Sequence, residues 1–540
     1  MKNFKLIYPL LACLVVVCFT GCDRNVNDWG EDKEYAGLFR PLNFGESQIK
    51  ATSIEIKYNT IANATKYVFE FSEDSMLFEN IIKTVDILAD TLTIFAGNDN
   101  LLKVEYRTLF EGFNGSTEYS VRMKGVNQRD GLESAYMSFA FTTPGEQLFT
   151  DNERGLDQIT VFWAATPDVT HLSVSIYNAE KNSYDPLKDI QLGATEIAEG
   201  VATISDLSSG TTYRITINKD IVVRGTLTLK TLGMDQGRNV VVPVNATGVE
   251  VATLLSACVN DGVSSVGLLF EDNTATYNLG SVTIPNGIDN ITFIGAGPDD
   301  KKPLLILKSV GFATLTETIG FENVSIDGDT NAYFISANKF TSLYFDGCEI
   351  TNLGRSVLRL GSGDGVDIES VKFNDCVISN IPGTYGIISL GKDGFGKFGE
   401  IAFTNCTFFE IAKQLYAGET IIDVFTIDHC TLYNSENCLM DQLFTFLVIP
   451  TRVNFGNTII SGPNKGGGLR SGAADYSSCF DFSENCYLTL DVPLYKFFFT
   501  NITEYSGAST DLFVDPQNGD FHFKDASFSG RDSAGDPRWY

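Results

Sequence analysis

Apolar and polar positions alternate along residues 319–462 in a pattern that recurs six times. Each copy approaches through an apolar position (Ile319, Leu343, Val371, Ile401, Phe425, Val453) and reaches a mostly aromatic one two residues on (Phe321, Phe345, Phe373, Phe403, Ile427, Phe455). A small apolar column follows: Val324, Cys348, Cys376, Cys406, Cys430 and Thr458, at intervals of 24, 28, 30, 24 and 28 residues. Two residues further on stand Ile326, Ile350, Ile378, Phe408, Leu432 and Ile460. Alternation of period two places one set of side chains on one face of a strand. Between the two halves of each copy the parity slips by one, at Asn323, Gly347, Asp375, Asn405, His429 and Asn457. Both halves face inward only if the chain turns a corner there, and these residue types most readily accept the left-handed backbone of such a corner. A second corner column falls at Gly328, Asn352, Asn380, Glu410, Asn434 and Gly462. Strand, corner, strand, corner at this repeat length predicts a parallel β-helix in which equivalent residues stack as ladders.

The four cysteines of the small column are then core residues, a role free cysteine fills well. They lack the short C-x-x-C spacing of a zinc site, and ladder positions seldom suit disulfide geometry.

Upstream the period changes. Residues 36–145 and 146–232 contain short alternating strands with turn signals about every ten residues, as in a β-sandwich. From 233 to 540 the chain reads as β-helix. Residues 248–257 are expected to form a short helix capping its first coil, and the closing Gly535-Asp536-Pro537-Arg538-Trp539 is expected to close the last. The fold class predicted is all-β: two sandwiches, then a right-handed parallel β-helix. At the N-terminus, Lys2 and Lys5 precede an apolar run ending at Phe19, then Thr20-Gly21-Cys22. That run is too short to span a bilayer and has the layout of a signal peptide over 1–21, followed by a polar, acidic tether over 22–35.

Charge narrows the partners. The chain carries 39 basic and 68 acidic residues; removing 1–21 takes away two lysines and no acids, leaving 37 − 68 = −31. Such a balance argues against nucleic acid, which needs a basic face.

Several stretches resemble known families. Gly21-Cys22 resembles the lipobox of bacterial lipoproteins, which implies lipidation at Cys22 and an outer-membrane lipid anchor, with cell-surface exposure. Asp28, Glu31, Asp32 and Glu34 are similar to the surface-export signal of Bacteroidetes lipoproteins. The run Leu207-Ser208-Ser209-Gly210-Thr211-Thr212-Tyr213, and less cleanly the residues before Tyr119, resemble the tyrosine-corner strand of fibronectin type III domains. The whole arrangement resembles Bacteroidetes lipoproteins with fibronectin-like domains ahead of a pectate-lyase-like β-helix. That resemblance implies a place in a polysaccharide-utilisation system, beside other glycan-uptake proteins.

Catalytic signatures are thin. Ile427-Asp428-His429 echoes the W-I-D-H motif of pectate lyases, but Thr426 stands in place of the Trp, and both polar residues already fit their columns as turn formers. The Arg-x-Pro-x-x-Arg motif of that family and the Gly-His-Gly of polygalacturonases are missing. A binding face is easier to draw. With Leu358, Leu360, Ile388 and Leu390 pointing inward, Arg355, Arg359, Tyr385 and Ser389 point out, on the face pectate-lyase relatives use for substrate. Lys392 follows in a Gly-rich loop. Arginines beside a tyrosine suit an acidic sugar. Asp364 and Asp367 are candidate ligands for Ca2+, although a turn uses Asp on its own account. The leading expectation is a surface lipoprotein that binds an extended polysaccharide, with a pectic, acidic chain as the specific candidate. The alternatives are a Ca2+-dependent polysaccharide lyase with Arg359 as base, and an adhesin that recognises another protein through the stacked face.

Overall fold

The computed structural model describes residues 37–540 apart from 97–103, 167, 235–236, 297–300, 338, 361–366, 391–395, 435–441, 464–469, 472–478, 483–484 and 493–501. Cys22 and the whole of 1–36 therefore lie outside the described residues. No described helix is long and apolar enough to cross a membrane.

The first sandwich packs a sheet ordered Gly45–Ile49, Ser53–Asn59, Glu105–Glu111, Ile94–Ala96 against one that includes Ile81–Leu88, Lys66–Ser72, Glu118–Asn127 and Met137–Thr142. The inward residues of both sheets, among them Ile54, Ile56, Tyr58, Phe69, Phe71, Val121 and Met123, form its core. The second sandwich has a three-stranded sheet, Phe149–Arg154, Ile159–Trp163, Val201–Ile204, against a four-stranded one, Ser183–Gln191, His171–Asn178, Thr212–Lys219, Val222–Lys230. This three-plus-four division is that of a fibronectin type III-like sandwich. In both, the expected corner tyrosine is buried and its hydroxyl accepts from a backbone N–H five residues upstream. Tyr119 accepts from Asn114 at 2.9 Å and Tyr213 from Ser208 at 2.8 Å. A buried phenol needs such a partner.

Beyond Arg238 every strand of the two long sheets pairs in parallel with the next coil. One runs through ten strands from Arg238–Val241 to Phe480–Phe482; the other carries the second and third strands of each coil. The aromatic column becomes a stack: Phe293, Phe321, Phe345, Phe373 and Phe403 lie 4.8 to 5.0 Å apart, ring on ring. That is the inter-strand spacing of a β-sheet. All six predicted first-corner residues have left-handed backbone, with φ between 44° and 63°. The second corner follows at Asn352, Asn380, Glu410 and Gly462, whereas in the coil of Val324 it moves on to Asp329 and Thr330. The cysteine column is fully buried and unpaired as disulfide, and it extends one coil further to Cys486.

Helix Gly248–Asn260 covers the first coil, as expected, with Val251, Leu255 and Cys258 facing the core. It begins in a capping box: the Thr247 hydroxyl accepts from the Glu250 N–H, and the Glu250 carboxylate accepts from the Thr247 N–H. The C-terminal expectation needs correction. Residues 535–539 do not close the last coil but run back along the flank of four coils. The Gly535 N–H donates to the Asn457 carbonyl (2.8 Å), the Asp536 N–H to the Thr431 hydroxyl (2.9 Å), the Thr407 hydroxyl to Asp536 Oδ2 (2.7 Å), and Arg538 Nη2 to Asp375 Oδ1 (2.8 Å). Gly535, at φ 85°, is needed because a Cβ there would sit 2.8 Å from the Thr431 hydroxyl.

The second sandwich is fastened to the β-helix. Arg154 donates to Asp346 at 2.5 Å and Lys230 reaches Glu322 at 3.4 Å, while Glu322 also accepts from the Tyr344 hydroxyl and the Gly233 N–H. Leu232, Leu269 and Ile294 form a small apolar core beneath these contacts. Burial pushes the Asp346 carboxyl up, but Arg154 and Asn374 more than offset this and hold it below the usual carboxylate range.

Candidate functional site

Third strands Tyr333–Ile335, Ser356–Leu360 and Ile388–Leu390 pair in register, Tyr333 with Ser356 and Arg359 with Ser389. Leu358, Leu360, Ile388 and Leu390 point into the core as predicted. On the outer side, four side chains converge. Arg355 is exposed and donates from Nη1 to the Tyr333 hydroxyl at 3.2 Å. Its guanidinium lies 5.8 Å from the Tyr385 ring centre, and that of Arg359 lies 4.7 Å from it. The two tyrosine rings are 6.1 Å apart, tilted by 52°. Arg359 Nη1 donates to the carbonyls of Leu360 and Ser389, both at 3.3 Å.

Three of the predicted contacts, Arg355, Arg359 and Tyr385, are thus brought together. Ser389 is not available beside them: it is only 3% exposed. It lies in register with Arg359, whose guanidinium folds across to the next coil and bonds to the Ser389 carbonyl. Lys392 and Asp364 lie outside the described residues. Asp367 accepts the Lys397 N–H of the next coil at 2.8 Å, a bond between coils. Among the described residues no group of three or more His, Cys, Asp or Glu side chains converges to hold a metal ion.

Tyr333 escaped the sequence reading. Its register partner is the buried Ser356, so the outward column drawn through Arg355 passes it by. The Asp428–His429 pair (3.1 Å apart) stands at the corner, where His429 has φ 49°, so the echo of a lyase motif is the corner column itself.

Electrostatically the cluster lacks acidic partners among the described residues. Among the described residues, Arg107, Arg122, Arg154, Arg224, Arg238, Arg452 and Arg538 each meet a carboxylate. No described carboxylate pairs with Arg355 or Arg359; their partners are tyrosines and backbone carbonyls. Two charged guanidiniums are therefore held on an aromatic shelf with hydrogen-bonding capacity to spare.

Fold and site together define an all-β protein in which two fibronectin type III-like sandwiches precede a parallel β-solenoid. Residues 275–411 match a family described as a domain of unknown function (DUF4957), and residues 425–539 match another (DUF5123). The strands on either side of the join, Phe398–Thr404 and Ile422–Asp428, pair without a break, so the two matches share one solenoid. Among curated proteins none matches. Similar solved structures include a two fibronectin type III domain segment of chicken tenascin, 16% identical over 35% of this chain and 99% of that one, TM-score 0.22. The FN1–FN3 domains of chicken CNTN1 are 13% identical over 37% of this chain and 69% of that one, TM-score 0.15.

Proposed function

We propose that the protein is a surface lipoprotein, anchored through Cys22, that binds an extended acidic polysaccharide on its β-helix as part of a bacterial glycan-uptake system. The observation that carries this reading is the cluster of Tyr333, Arg355, Tyr385 and Arg359 on one outer face. A sugar ring stacks on a tyrosine face, and a uronate carboxylate accepts a bidentate pair of hydrogen bonds from a guanidinium. The strongly negative chain repels a polyanion elsewhere, so these arginines set where such a ligand lands. The sandwiches act as a stalk between anchor and binding face.

The lyase alternative asks Arg359 to act as a base. Its guanidinium instead donates to two backbone carbonyls, which favours binding over proton abstraction. The test uses the chain without residues 1–22, run through gels containing pectic or hemicellulosic polysaccharide, with and without Ca2+. Absorbance of unsaturated uronate products is read in parallel. Retardation by the pectic chain without new absorbance supports the binder. Absorbance that rises only with Ca2+ makes the protein a lyase, and neither signal turns the reading toward an adhesin.

A further inference from the structure

A second tyrosine pair with an arginine over one ring lies on the second sandwich. Tyr177 and Tyr184 face each other across strands His171–Asn178 and Ser183–Gln191, their rings 5.3 Å apart and tilted by 57°. Arg214, exposed on strand Thr212–Lys219, lies 3.8 Å from the Tyr184 ring centre. Its register neighbours are Ser175 and Thr228, which set hydroxyls to either side. The β-helix cluster repeats this chemistry with Tyr333, Tyr385 and the two arginines.

Ion pairing separates these stacks from the other arginine stacks among the described residues. In the first sandwich Arg107 lies over Phe95 and Arg122 over Tyr136, but Glu55 and Glu105 neutralise the first and Glu70 the second. Those are structural stacks on a sheet face. Arg214 has no carboxylate partner among the described residues, like Arg355 and Arg359. In a chain with 68 acids to 39 bases, these three stacked guanidiniums keep their charge uncompensated by a neighbouring described carboxylate.

We infer that the outer face of the second sandwich, centred on Tyr177, Tyr184 and Arg214, is a second site for the same class of ligand, a carboxylate-bearing sugar chain. This rests on the function proposed for the β-helix and extends it. Arg154–Asp346 and Lys230–Glu322 hold the two sites in a fixed relation. Two weak sites on one rigid body bind a polymer far more tightly than either binds a short piece of it.

The probe is trigalacturonate, short enough to occupy one site, titrated calorimetrically into the chain lacking residues 1–22. Two equivalents bind the wild type. Arg214→Ala and Tyr184→Ala each reduce this to one, and so does Arg355→Ala with Arg359→Ala. Arg214→Lys, which keeps the charge but loses the planar fork, weakens the sandwich site while circular dichroism stays unchanged. On polygalacturonate, Arg214→Ala costs about tenfold or more in affinity. If the wild type binds one equivalent and Arg214→Ala leaves it in place, the sandwich site is refuted and the β-helix reading survives. If the β-helix variants alone leave the titration unchanged, the opposite holds. No binding by the wild type overturns both.

Discussion

At Gly347 the corner column departs from its usual Asn, Asp and His, and the reason lies in another domain. Gly347 has φ 63°, which Asn tolerates at the equivalent Asn323 and Asn405, so backbone alone does not require glycine. A Cβ there would stand 3.0 Å from Nη2 of Arg154, the arginine that docks the second sandwich on Asp346. Gly347→Asn therefore keeps the turn but pushes on the ion pair, and is expected to lower stability by about 1 kcal/mol. Arg154→Ala leaves Asp346 without its counter-charge and is expected to cost about 2–3 kcal/mol. Denaturant titration of both variants checks the order. Equal stability of Arg154→Ala and wild type would mean that the two bodies are not coupled there.

The cysteine column allows a second residue-scale test, because the chain itself substitutes it. Val324 and Thr458 occupy the same position, and the Thr458 hydroxyl donates to the Gly456 carbonyl two residues back at 2.6 Å. Cys376 makes the equivalent contact with the Asn374 carbonyl at 3.1 Å. Cys376→Thr is therefore expected to lie within about 1 kcal/mol of the wild type, whereas Cys376→Leu overpacks and costs about 1–3 kcal/mol. Burial pushes the thiols of Cys348, Cys376 and Cys406 well up, so a thiol reagent should label none of them until the protein unfolds. Labelling in the native state would contradict the ladder.

Among elements, the C-terminal strap has the most distinctive chemistry. Asp536 is buried, and burial pushes its carboxyl up to about 6 although Arg538 and the Thr407 hydroxyl oppose this. A carboxyl whose pKa is higher folded than unfolded binds its proton more tightly in the folded state. Its contribution is present in full below about 3.8 and is lost as pH rises through about 6, an effect on the order of 2–3 kcal/mol at most. Asp536→Asn removes that titration. The stability difference between wild type and Asp536→Asn should thus change between pH 4 and pH 7, with wild type losing ground as pH rises. A difference that is flat over this range would show that Asp536 does not carry the proton.

How much of this the sequence disclosed follows from how local each feature is. Coils, corners and columns are set by alternation within about 30 residues, and the ladder residues Phe345, Phe373 and Phe403 could be aligned without any structure. Left-handed corners followed from the residue types at 323, 347, 375, 405, 429 and 457. Contacts between distant segments left no local trace. Arg154 and Asp346 are 192 residues apart and Arg538 and Asp375 are 163 apart, so the docking of the second sandwich and the path of the strap were invisible. At the site, parity placed Arg355, Arg359 and Tyr385 outward, but it cannot show that one long side chain covers its neighbour, which is why Ser389 was misplaced.

For the molecule as a whole, the separate parts serve one arrangement. The β-helix gives a rigid ladder on which equivalent side chains of successive coils stand about 4.8 Å apart. The docked sandwich adds a second stacked face, and on the proposed function Arg214 there and Arg355 and Arg359 on the β-helix are the landing points for a polyanion on an otherwise acidic chain. Binding governed by these charges should weaken as salt is raised, since exposed pairs are screened. The most direct test of the account is the affinity of the soluble chain for polygalacturonate, measured for wild type and for Arg355→Ala combined with Arg359→Ala. Loss of two charge-assisted contacts should weaken binding about 100-fold, with the fold retained by circular dichroism. Equal affinity of variant and wild type would contradict the claim that this face of the β-helix is where the protein meets its ligand.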